Sequence, residues 1–166
     1  MDLTTIITIA IILFCTALFV LQSRKKKQKE AQLLQPLFEL AEKNNCKISK
    51  HERLNNSFIG IDEVANIVFV VSNVNNIKSS QQIDLADILK CRVIESSRSV
   101  STKEGSIKVV DKIELSLVNP DKNKPDTKVE FYNADYDRLT LTGEVQLSEK
   151  WCKIFNDKIA ELAKVK

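Results

Sequence analysis

Hydrophobic positions change their spacing three times along the chain, and each change predicts a different element. Over residues 3–23 the sequence is rich in Ile, Leu, Phe and Val and has no formal charge in 21 positions. Over residues 30–44 the apolar residues fall at Leu33, Leu34, Leu37, Phe38 and Ala41, the i, i+3, i+4, i+7 spacing of one helix face. After Cys46 the period drops to 2. At Ser148 it returns to helical spacing through Trp151, Phe155, Ile159 and Leu162.

The first run is long enough to matter to a membrane. As a helix, residues 3–21 span roughly 28 Å at 1.5 Å per residue, close to the hydrocarbon thickness of a bilayer. A cleaved secretory leader carries its positive charges before the apolar run. Here Asp2 precedes it, and Arg24, Lys25, Lys26, Lys27 and Lys29 follow. That order predicts an uncleaved transmembrane anchor over residues 1–23, then a basic juxtamembrane segment and amphipathic stalk helix over 24–45. Basic residues beside a span stay on the cytoplasmic side. The expected localisation is therefore the cell membrane, single pass, with the N-terminus outside and the C-terminal domain cytoplasmic. The same five bases are candidate membrane-surface contacts, each worth about 1 kcal/mol near anionic lipid.

In the stalk, Pro36 removes a backbone donor, so the helix either kinks there or starts afresh. Asn44 and Asn45 are a stop signal, because Asn tolerates the left-handed conformation at a helix end. The apolar stripe is expected to pack on the following domain, with a coiled coil between two copies or contact with lipid as alternatives.

The period-2 region predicts a hairpin from strands at 57–61 and 66–72, with a turn at Asp62-Glu63-Val64-Ala65. A polar loop is expected at 73–82, a turn around Asp84 and Asp87, a strand at 91–95 and a serine-rich loop at 96–105. The strand at 107–118 carries Ile113, Leu115 and Leu117 on one side and Lys112, Glu114 and Ser116 on the other. Its return strand is expected at 128–132. Ser148 reads as the N-cap of a helix running to about residue 164. Many short antiparallel strands closed by one amphipathic helix predict a small barrel or sandwich, with Trp151, Phe155 and Ile159 as its core plug.

Composition narrows the chemistry. The chain has 25 basic and 22 acidic residues. Without Asp2 and the five bases at 24–29, residues 30–166 hold 20 basic against 21 acidic, so the part beyond the anchor is close to neutral. A nucleic-acid surface needs clustered bases with interleaved aromatics, and none is expected. Three glycines leave no glycine-rich phosphate loop. One histidine and four scattered cysteines do not make the close ligand pairs of common zinc sites, so no cofactor or metal is expected. His51, between Lys50 and Glu52, reads as a solvated linker residue. Cys91 and Cys152 read as small core residues, and Asp84 and Asp87 as turn formers. No catalytic constellation emerges, so the expectation is a protein without enzymatic activity.

The order of parts also resembles a known family. The hairpin from Ile59-Gly60-Ile61-Asp62-Glu63 to Val70 is similar to the opening of the bacterial pleckstrin-homology-like (PH-like) domains. The segment from Ile83-Asp84-Leu85-Ala86-Asp87-Ile88 through Cys91-Arg92-Val93 resembles their third strand, turn and fourth strand. The long hairpin at 107–132 and the aromatic-bearing last helix complete a likeness over about residues 55–164. The resemblance implies a mainly β fold with α, a PH-like domain over 46–166 built as a seven-stranded barrel, its short seventh strand at 139–145, closed by the C-terminal helix, and no enzyme. Joined to the anchor, it implies a membrane-tethered interaction (adaptor) module at the inner membrane face, with the bilayer and a protein as partners. The alternatives are a lipid or small apolar-ligand sensor, or a structural subunit of a membrane complex. Homo-oligomer formation would run through the span or stalk.

Overall fold

In a computed structural model of the chain, the described residues are 34–74, 77–102, 105–137 and 140–165. The fold below is that of the compact unit Leu37–Lys166, with the first turn of the helix that leads into it. The anchor expected over 1–23 lies outside the described residues, as do Arg24, Lys25, Lys26, Lys27 and Lys29. Among the described residues no helix is long and apolar enough to cross a membrane. The expectation of a single-pass membrane protein is corrected accordingly. The longest described helix, Glu144–Val165, carries Lys150, Lys153, Asp157, Lys158 and Glu161 along its length, which no bilayer core would accept.

Helix α1 covers residues 34–43. Its end is stopped as the two asparagines predict. Asn45 takes φ 54°, the Cys46 N–H donates to the Ala41 carbonyl at 2.9 Å, and Asn44 Nδ2 donates to the Leu40 carbonyl at 2.8 Å. Leu37 and Ala41 are fully buried. Leu37 sits against Gly60, where a Cβ would stand only 3.2 Å from Leu37 Cδ2 and 3.1 Å from two carbons of Ile48. The stripe of α1 thus packs on the domain.

Seven strands follow among the described residues: β1 (Lys50–Arg53), β2 (Ser57–Asp62), β3 (Ile67–Val74), β4 (Ile77–Asp84), β5 (Lys90–Thr102), β6 (Gly105–Val118) and β7 (Thr127–Asn133). They form two antiparallel sheets, ordered β1-β2-β3-β4 and β5-β6-β7, and α2 (Glu144–Val165) ends the chain. A short 3-10 turn, Leu85–Asp87, carries the chain from one sheet to the other, and Asp84 caps it by accepting the Ala86 N–H at 2.8 Å. Ile59, Ile61 and Val68 of the first sheet and Ile113, Leu115, Leu117, Val129 and Phe131 of the second share one core with Trp151 and Phe155.

The expected closed barrel is overturned. The fold is mainly β with two helices, but among the described residues no ladder joins the sheets, so β1, β4, β5 and β7 each keep a free edge. A helix cannot plug an end that is not closed. Instead α2 lies against β5, β6, β7 and the 3-10 turn, with Trp151 and Phe155 buried at 5.6 Å between ring centroids and Ile159 half-buried beside them.

Three local expectations also change. The polar loop at 73–82 is mostly strand β4. Residues 77–82 are exposed on both faces, so no hydrophobic period betrays them, and pairing of their backbone with β3 holds them. The serine-rich loop at 96–105 is the far half of the β5–β6 hairpin. It projects past a bulge at Asp111, beyond the reach of β7. The strand expected at 139–145 is absent among the described residues, because α2 already begins at Glu144. Ser148 therefore lies inside α2, and its hydroxyl donates to the Val145 carbonyl at 2.7 Å.

Candidate functional site

Where the barrel fails to close, the gap between the sheets is a cleft of about 410 Å³. That is within the range of clefts that hold ligands, roughly 300–1,000 Å³. From the first sheet it takes Val70, Ser72 and Val74 of β3 and Ile77, Ser79 and Gln81 of β4. Alternate residues on paired strands are one face of a sheet. From β7 it takes Lys128, Val129, Glu130 and Phe131, four in succession. A strand that lines a cavity with consecutive residues turns its edge to it. Phe131 is the extra residue of a bulge, since Ile113 pairs with Tyr132 while Glu114 pairs with Glu130. The regular stretch at the cleft is thus Thr127–Glu130.

Charge is arranged along the β6–β7 side. Glu114, only 7% exposed, accepts Lys112 Nζ at 2.8 Å and meets Lys128 Nζ at 3.6 Å. Lys112 also reaches Glu130 at 3.0 Å. The hydrogen bond to Glu114 chiefly holds the Lys112 ammonium above its ordinary pKa, with burial opposing and Glu130 adding to the rise. At the other end of β7, Asp137 accepts Asn56 Nδ2 at 2.7 Å and the Asn133 N–H at 2.8 Å. Among the described residues no cation meets Asp137.

A second hollow, about 430 Å³, lies between residues 49–52 and Lys150, Trp151 and Ile154 of α2. Its two lysines are engaged, Lys50 with Glu63 at 2.8 Å and Lys150 with Glu52 at 2.6 Å. Trp151 Nε1 is buried with no hydrogen-bond partner among the described residues.

The structure brings few of the sequence candidates together. Trp151, Phe155 and Ile159 sit in or beside the core, and Trp151 also lines the second hollow. His51, expected in a linker, belongs to β1 and stands edge-on to Phe38 at 5.4 Å. Asp84 and Asp87 frame the 3-10 turn. The cysteines Cys46, Cys91 and Cys152 are free thiols, and burial pushes the Cys91 thiol well above its ordinary pKa, with Cys152 adding to the shift. Among the described residues no group of three or more His, Cys, Asp or Glu side chains is placed to hold a metal. The cleft residues were missed because β4 gives no strand signal. Glu114 lies on a strand face whose alternation reads as solvent-facing, so its burial is invisible from the chain alone.

Comparison with known proteins adds no relative: the chain matches no family model, no curated protein and no solved structure.

Proposed function

We propose that this domain is a non-enzymatic interaction module that captures an extended polypeptide segment as an added strand along β7. The observation that carries this reading is the consecutive lining of the cleft by Lys128, Val129, Glu130 and Phe131, which turns an unpaired strand edge toward it. Strand addition draws affinity from main-chain hydrogen bonds and specificity from alternate side chains in pockets. Here the opposing face of β3 and β4 supplies the surface for those alternate side chains.

The test is a displayed library of random linear nonapeptides panned against the full-length protein. Enriched peptides should slow amide exchange in Thr127–Glu130, and N-methylation of alternate peptide nitrogens, but not the intervening ones, should abolish their binding. No enrichment, protection confined to other strands, or indifference to N-methylation would overturn the reading.

A further inference from the structure

We infer that the segment added along β7 carries a basic side chain at the end of the cleft marked by Asp137, an inference that rests on strand addition as the mode of binding. Four charged residues line the cleft, and three of them are acidic: Glu114, Glu130 and Asp137 against Lys128. Two of the three carboxylates are already neutralised. Glu114 takes Lys112 and Lys128, and Glu130 takes Lys112. Asp137 is different, because among the described residues its side-chain partners are the amide of Asn56 and the backbone N–H of Asn133, both uncharged donors. Each of its oxygens has lone-pair capacity left over, so it can accept an incoming cation without surrendering either bond.

The placement gives the cleft a polarity. Lys128 lies near the start of β7, while the Asp137 carboxylate is held at Asn133, the strand's last residue. At about 3.3 Å per residue these points are roughly 16 Å apart along the strand. An added strand of five or six residues covers that distance, and a lysine or arginine at its Asp137 end completes an ion pair. An acidic residue at the same place meets Asp137 and Glu130 together. The rest of the segment faces Val70, Ser72 and Val74 on β3, which suits small apolar or hydroxyl side chains at alternate positions. The complement is an extended peptide of alternating small residues with one base.

Three synthetic nonapeptides of alternating valine and serine test this, identical except for lysine, alanine or glutamate at one position near the end. Their binding to full-length protein is followed by fluorescence anisotropy at low and at high salt. The lysine peptide should bind roughly threefold to tenfold more tightly than the glutamate peptide, as one partly exposed ion pair allows, with the gap narrowing as salt rises. Asp137→Asn should remove most of that gap, and the circular dichroism and thermal melt of the variant report separately that it is folded. Equal binding of the three peptides, or a lysine preference that survives Asp137→Asn, overturns the charge assignment and leaves strand addition standing. Failure of all three to bind, alongside failure of the random library, overturns strand addition itself.

Discussion

Asn156 of α2 holds Cys91 of β5 through both of that residue's backbone groups. Its Oδ1 accepts the Cys91 N–H at 2.8 Å, and its Nδ2 donates to the Cys91 carbonyl at 3.0 Å. The side-chain amide thus stands where a neighbouring strand's peptide group would, and it closes one point of the free β5 edge. Asn156→Ala should destabilise the domain by about 1–3 kcal/mol, since two part-buried backbone groups lose their partner. Asn156→Asp should cost more, because a carboxylate oxygen then faces the Cys91 carbonyl. Chemical denaturation checks the order. An Asp variant more stable than the Ala variant would show that the donor half of the contact contributes nothing.

Asp62 ties the β2–β3 turn to the segment before β1. Its Oδ1 accepts the Val64 and Ala65 N–H groups at 2.9 Å each, and its Oδ2 accepts the Lys47 N–H at 2.7 Å. The Ala65 N–H is the largest influence holding this carboxyl below its ordinary pKa, with burial opposing and the Lys47 and Val64 N–H groups adding to the fall. A depressed folded-state pKa stabilises the fold above the unfolded value, about 3.9, and that stability drains away as pH falls through the folded value. Unfolding free energy should therefore decline as the solution is acidified below about pH 4. Asp62→Asn should lose about 1–3 kcal/mol at neutral pH and show a shallower acid limb. An acid limb of unchanged slope in the variant would assign the sensitivity to other carboxylates.

Gly60 and Leu37 form a fitted pair. A methyl group on Gly60 would press on Leu37 Cδ2 and on two carbons of Ile48 at 3.1–3.2 Å, tighter than ordinary contact. Gly60→Ala should cost about 1–2 kcal/mol by overpacking. Leu37→Ala, which empties a fully buried site, should cost about 2–5 kcal/mol. The double variant should be more stable than the sum of the two losses predicts, because the new methyl partly fills the space Leu37 leaves. Strict additivity would mean that α1 moves away instead of yielding locally.

Trp151 is 1% exposed and stacks obliquely on Phe155, yet its indole N–H has no partner among the described residues. Trp151→Ala should cost about 3–5 kcal/mol through the cavity it opens. Trp151→Phe should cost much less, because it removes an unsatisfied donor along with part of the ring. Thermal melts of both variants separate the two effects. Equal losses would mean that the indole N–H is satisfied in solution.

The sequence by itself determined the elements whose residues carry their own signal. The hairpin of β2 and β3 was legible in its two apolar runs and its Asp62 turn, the stop of α1 in Asn44 and Asn45, and the amphipathic face of α2 in Trp151 and Phe155. Each is a short-range property: a period, a cap or a turn, decided by residues within a few positions of one another. Strand β4 and the outer β5–β6 hairpin were not legible. Their side chains are mostly exposed on both faces, and what makes them strands is the backbone of a partner elsewhere in the chain. Whether the two sheets close was likewise decided by tertiary structure alone. A ladder between β4 and β7 would depend on how the 3-10 turn at Leu85–Asp87 and the bulge at Phe131 aim strands more than 40 residues apart. The cleft follows from that geometry, as does the meeting of Asn56, Asn133 and Asp137 at its end. Asp137 meets the Asn133 backbone within a local turn, but Asn56, far away in sequence, reaches it only when the sheets have packed, so that juxtaposition leaves no trace in local spacing.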